Sequence, residues 1–198
     1  LNPAMSQLHA FVSEYSARDQ PWRYLFQTTD VVMGTSLCLA GLATLAWARH
    51  RPLGRQGWSG IGFVVGGLFS VLDALVTMDC SPTRSPACMA AEEAGHVSAS
   101  HIVHVGTSTV VVIGFALPIL LLNSTMTRFR GFGLVVAWAW VIFTLLNGIG
   151  AMDWFNGTPM SYTGIWQRLS LGLGTLWWLT LAADDVITAR ARNHVPSC

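Results

Sequence analysis

The sequence predicts an all-α protein, a polytopic transmembrane helix bundle forming one domain over residues 1–198. Three observations predict it. Hydrophobic residues make up 52% of the chain and charged residues only 11%, against roughly a quarter charged in soluble domains. Five apolar runs recur, at 27–48, 58–78, 100–122, 131–152 and 163–183. Each is about 20 residues, enough for a helix to cross roughly 30 Å of hydrocarbon. Short polar segments separate them. Lipid offers the backbone no hydrogen-bond partner, so helices are the economical way across. The net charge of +1 lacks the basic excess of a nucleic-acid-binding surface.

Taken in order, residues 1–26 mix polar and aromatic side chains with two prolines and are too polar to span. They are expected outside the membrane, lying along the interface, with Trp22, Tyr24 and Phe26 at headgroup level. Span one leads to a loop with Arg49, Arg51 and Arg55, and span two to a polar loop holding Cys80 and Cys88. Span three carries Pro118 near its end, and Arg128 and Arg130 follow it. After span four comes the segment with Asp153, Trp154 and Phe155. After span five comes a tail with Asp184, Asp185, Arg190 and Arg192.

If the spans alternate, the arginine clusters share one side, and the opposite side holds Arg84 with Asp79, Glu92, Glu93 and Asp153. The positive-inside rule places the arginine side and the C-terminus in the cytoplasm. Cys80 and Cys88 then face the oxidising side and are expected to be bonded. Cys38, mid-span, and Cys198, in the tail, are expected to be reduced. All eleven basic residues are arginine. That usage reads as the codon bias of a GC-rich bacterium, whose inner membrane is the expected location. Five spans starting outside are awkward for a chain that opens on Leu1 without a signal-peptide pattern. A helix lost ahead of it would give six spans with both ends inside.

An SEYS segment precedes a Pro-Trp-Arg approach (Pro21, Trp22, Arg23) to a glycine-containing span. The second span ends in Asp79–Cys80, a histidine opens the third, and Gly164, Gln167 and Arg168 precede the Trp177–Trp178 span. In this order of features the whole chain resembles the bacterial six-helix membrane family known as domain of unknown function 998. The resemblance implies the fold and the lost first helix, and no chemistry.

Each span places a strong polar group about 5–10 Å beneath the outer surface, counted at 1.5 Å per helical residue. They are Asp30, Asp73, His104, Asn147 and the pair Gln167–Arg168. Ser70 and Asp73 share a helix face, as do His101, His104 and Ser108. Such groups should face the bundle interior or a wet cavity, so an outward-opening polar pocket is expected. Gly62 and Gly66 make a small-xxx-small step for close helix contact, which Gly67 extends.

Three readings of that layer compete. In the structural one, Asp73 or Asp30 pairs with Arg168. In the binding one, Asp30, Ser70, Asp73, His101, His104, Asn147, Gln167 and Arg168 line a pocket for a lipid-like or small amphipathic ligand. Arg168 would grip its anionic head, and Trp154, Phe155 and Trp166 would line the mouth. In the third, His101, His104 and Asp73, with His96 as a further candidate, hold zinc for hydrolysis of lipid substrates. That pattern resembles the intramembrane hydrolases related to alkaline ceramidases, but spans four and five lack the late histidine pair it needs. A haem has no facing histidine pair to bind it. Structural pairing is the plainest account of the layer itself; the function expected of the chain is binding of such a ligand or of a partner subunit, with zinc hydrolysis and a structural accessory subunit as alternatives. No cofactor is expected unless zinc is. The expected partners are membrane lipids and other membrane subunits, with no nucleic acid. Trp138, Trp140, Trp177 and Trp178 read as packing residues. Asp184 and Asp185 read as solvated or paired with Arg190, and Glu14 reads as solvated, or else as folding over the mouth of the pocket.

Overall fold

The computed structural model describes residues 2–49, 54–155 and 162–193. The described residues are helical, with no strand among them. The elements are α1 (Arg23–Ala48), α2 (Arg55–Leu75), α3 (Pro86–Glu93), α4 (Ala99–Leu122), α5 (Arg130–Phe155) and α6 (Thr163–Asn193), with short 3-10 turns at Val12–Ser16 and Asn123–Thr125. α1, α2, α4 and α5 are long and apolar enough to cross a membrane, and the chain is a multi-pass membrane protein. α6 covers the fifth predicted span and reaches 31 residues. Gln167, Arg168, Asp184 and Asp185 crowd its apolar stretch from both ends, and it does not match the other four in apolarity.

α2 is the centre of a three-helix unit, packed on α1 along one side and α4 along the other, while α5 and α6 pair as a hairpin. Glycines set the close approaches. A Cβ at Gly67 would lie 2.5 Å from the Gly34 carbonyl of α1. One at Gly114 of α4 would lie 2.5 Å from the Gly66 backbone. The predicted Gly62–Gly66 step therefore faces α4, and Gly67 serves the other partner. Lipid gives helices no hydrophobic reason to associate, so this backbone-to-backbone fit is what holds them.

The core lies toward the arginine-bearing end. Phe63, Ile119, Leu122, Val136, Trp140 and Trp177 are buried in one cluster. The Phe63 ring sits 4.5 Å from that of Trp178. Trp177 Nε1 donates to Asn123 Oδ1 at 3.4 Å. Trp138 departs from the packing role expected of it: it is 59% exposed and points outward.

Three local expectations are corrected. The loop after α2 is not wholly irregular. Ser85 caps the N-terminus of α3, accepting from the Cys88 N–H, with Pro86 in the first turn. Gly95, at φ +68°, ends the helix, where His96 N–H bonds Ala91 O and Gly95 N–H bonds Glu92 O. Second, Asp184 is neither solvated nor paired with Arg190. It is buried and accepts the backbone N–H groups of Thr127, Arg128 and Phe129 at 2.7–2.9 Å. These donors precede α5 and have no carbonyl partner of their own in that helix.

Third, the N-terminal segment does not simply lie along the interface. Met5, Ala10 and Tyr15 form a small core with Phe26 behind it, and Asn2 donates to Gln20 at 2.7 Å. Of the three aromatics expected at headgroup level, Trp22 and Tyr24 are exposed, as an interfacial belt requires. The result is a cap joined to α6 at one side and to the loop after α2 at the other. Cys198 and Arg51, and the side chains of Asp153, Trp154, Phe155 and Arg192, fall outside what is described, and so do the expectations attached to them.

Candidate functional site

The apolar run predicted α2 to reach residue 78, but the helix stops at Leu75. The carbonyls it releases are taken by α4. His104 Nδ1 lies 2.8 Å from Val76 O and 3.2 Å from Asp73 O, and Ser100 Oγ donates to Thr77 O at 2.9 Å. Carbonyls only accept, so His104 carries its proton on Nδ1. The same nitrogen is 3.3 Å from Asp73 Oδ1. Its Nε2 is buried with no hydrogen-bond partner among the described residues, and the side chain is 3% exposed.

Asp73 is gripped from α4. Thr107 Oγ1 donates to Oδ1, and Ser108 Oγ lies 3.0 Å from both oxygens. Thr107 belongs to the His104 face by its i, i+3 spacing, a signal that the sequence carries alongside Ser108. From the other side, α1 brings Asp30. The register Gly34 to Ser70 and Gly67 places Asp30, one turn earlier, opposite Asp73. Ser70 is buried at that same crossing.

His101 sits one turn nearer the loop and is 1% exposed. Asp79 N–H donates to its Nδ1 at 3.2 Å, so the proton is on Nε2, 3.8 Å from Glu92 Oε1 of α3. The two histidines are therefore opposite tautomers. Asp79 accepts from Ser98 N and Oγ at 2.6 and 2.8 Å and pairs with Arg18 at 3.0 Å. Burial works against its charged form, but the Ser98 bonds and the Arg18 charge outweigh it and hold the carboxyl below the usual aspartate value. Cys80 and Cys88 form a disulfide, Cα atoms 6.0 Å apart, which ties this corner to α3. Cys38 is free.

The polar layer does not converge on one pocket. Arg168 pairs with neither Asp73 nor Asp30. Its NH1 donates to the carbonyls of Gln7, Ala10 and Gly164 at 2.8–3.0 Å. Gln167 Oε1 accepts from Val12 N–H at 2.5 Å. α6 thus devotes its polar pair to the cap. Asn147, on α5, joins neither group, and its buried Oδ1 has no partner among the described residues. His96 is exposed. Among the described residues no three of His, Cys, Asp and Glu converge as a metal set. Asp73 lies on the Nδ1 side of His104, where it orients the ring.

Glu14 is the residue the sequence placed most wrongly. It is 0% exposed. Its carboxylate accepts from Phe11 N at 2.9 Å, Ser81 Oγ at 2.5 Å, and Thr83 N and Oγ1 at 3.1 and 2.5 Å. Burial raises its pKa above the ordinary glutamate value, against the opposing pull of the Ser81 and Thr83 bonds.

A family model described as "Protein of unknown function (DUF998)" matches residues 1–184. That is nearly the whole chain, and the chain belongs to this family. No curated protein and no solved structure matches it.

Proposed function

We propose that this DUF998 member holds the cationic head of a lipid-like or small amphipathic molecule between α1, α2 and α4. One observation carries the reading. The α1–α2 register sets Asp30 opposite Asp73 inside the membrane-spanning region, and the only basic side chain bonded to either, among the described residues, is His104. Carboxylates at that depth need a counter-charge. Arg168, the cation the sequence offered, is occupied by the cap, so an anion-gripping role loses its support. An ammonium head would donate to the carboxylates, and a donor on it would satisfy the unpartnered His104 Nε2. By the positive-inside rule the arginine-bearing ends face the cytoplasm, which puts this site in the outer half of the membrane, beneath the cap.

A zinc hydrolase is the second reading, supported by the buried, unpartnered Nε2 of His104, whose proton sits on Nδ1. It needs ligands from beyond the trio of His101, His104 and Asp73. The test uses protein purified in a nonionic detergent. A single-chain alkylammonium should raise the melting temperature of the native chain, and an alkylsulfonate of equal chain length should not. The shift should vanish in Asp30→Asn/Asp73→Asn. Equal shifts from both amphiphiles, or a shift that survives in the variant, refute the cationic-head reading. Stoichiometric zinc in the native chain, lost in His101→Ala/His104→Ala, would put hydrolysis first.

A further inference from the structure

We infer a second lipid site at the opposite, arginine-bearing end: a groove between α5 and α6 that seats one acyl chain of an anionic phospholipid. The groove encloses about 510 Å³ and is lined by Phe129, Phe132, Leu179, Thr180 and Ala183. Phe132 and Leu179 are 52% and 63% exposed, so its wall is open to the membrane.

The charge around it selects the occupant. Arg128 and Arg130 flank Phe129 in sequence, both are exposed, and neither guanidinium is bonded to another described residue. On α6, Leu179, Ala183 and Arg190 follow the spacing i, i+4, i+11, which is one helix stripe. Arg190 lies seven residues past Ala183, roughly 10 Å farther along the axis, at the depth of a phosphate above its own acyl chain. The acids nearby do not cancel these charges. Asp184 is turned inward and holds three backbone N–H groups. Asp185 follows Ala183 by two residues, roughly 200° round the helix from the groove stripe. Arg55, by contrast, already donates to Ser124 at 2.8 Å and is left out of the site. Exposed arginines flanking Phe129 and following Ala183 on its own stripe match a phosphodiester head carrying a net negative charge, with its chain below in the groove. This site is independent of the Asp73 region.

Native mass spectrometry in a nonionic detergent tests it, with phosphatidylglycerol titrated against phosphatidylcholine of identical chains. Surface arginines contribute about fivefold each toward anionic lipid, so Arg128→Ala/Arg130→Ala/Arg190→Ala should weaken phosphatidylglycerol binding on the order of 100-fold. The corresponding triple lysine variant should keep the preference. Ala183→Trp, which fills the groove, should abolish tight binding, while Ala182→Trp should not. The inference is overturned if the two lipids bind alike, if the alanine variant keeps its preference, or if Ala183→Trp binds normally. It is also overturned if inorganic phosphate at equal concentration displaces the lipid, since the chain would then contribute nothing.

Discussion

Replacing Glu14 with alanine should undock the cap. Four donors converge on its carboxylate: Phe11 N–H, Thr83 N–H and the hydroxyls of Ser81 and Thr83. The hydroxyls can turn toward other acceptors; the two backbone N–H groups cannot. Each buried donor left unpaired costs about 1–3 kcal/mol. Relief of the desolvated carboxylate offsets part of that, leaving a net loss of about 2–4 kcal/mol. Glu14→Gln should cost less, because an amide oxygen can still accept from Ser81 and Thr83, and only the Phe11 N–H then faces an NH₂ group. The pH dependence gives the sign. Glu14 titrates above its unfolded value in the folded chain. Its stabilising contribution is therefore full below the unfolded value of about 4.5 and falls as pH rises through the higher folded value. The amide variant does not titrate at this position, so the melting-temperature gap between native chain and Glu14→Gln should narrow as pH rises. Thermal melts in detergent, with limited proteolysis of residues 2–20 as a second readout, measure both. A Glu14→Ala variant that melts with the native chain, with its cap equally resistant to protease, would refute the buried role.

Three further outcomes are expected. Gly114→Ala would place a Cβ 2.5 Å from the Gly66 backbone and should destabilise by about 1–3 kcal/mol through overpacking, whereas Gly106→Ala, with open space around it, should be neutral or better; paired melts decide. Breaking the Cys80–Cys88 bond frees a loop of separation 8 and should cost about 2–3 kcal/mol; a reductant-dependent melt reads the loss, and thiol labelling of both cysteines in unreduced protein would show no bond to break. Arg168→Ala removes the donor to three carbonyls and should destabilise by about 2–4 kcal/mol. Because Arg168 and Asp73 share no partner, a double-mutant cycle with Asp73→Ala should be additive to within about 0.5 kcal/mol.

The spans were legible because lipid imposes a length and a composition on each helix separately. Gly62–Gly66 and the His101–His104–Ser108 face were legible for a related reason: their meaning is a spacing within one helix. Arg168, Glu14 and Asp184 were not. Arg168 reads as a counter-ion for Asp73 only if α6 meets α2 at that level, and instead the cap intervenes and offers carbonyls about 160 residues back along the chain, at Gln7 and Ala10. Glu14 looks solvated in a polar segment until Ser81 and Thr83 are folded onto it. Nothing in the spacing of Asp184 announces three amides some 55 residues earlier. Each of these is a polar group satisfied wholly or partly by backbone, and backbone leaves no side-chain pattern to read.

The short stretch after α2 is where these parts meet. Val76 and Thr77 give their carbonyls to His104 and Ser100 of α4. Met78 gives its own to the Arg18 N–H of the cap. Asp79 holds Arg18 and Ser98 with its carboxylate and His101 with its amide. The Cys80–Cys88 bond fixes the next residue. Four consecutive residues thus join the cap, α4 and the carboxylate site, and they do so because α2 ends one turn early. Had α2 continued to residue 78, the Thr77 amide would have taken the Asp73 carbonyl that now lies 3.2 Å from His104 Nδ1. The early end of α2 thus leaves backbone that holds His104 by Nδ1, the side on which Asp73 lies, and the residues that follow tie the same helix end to the cap.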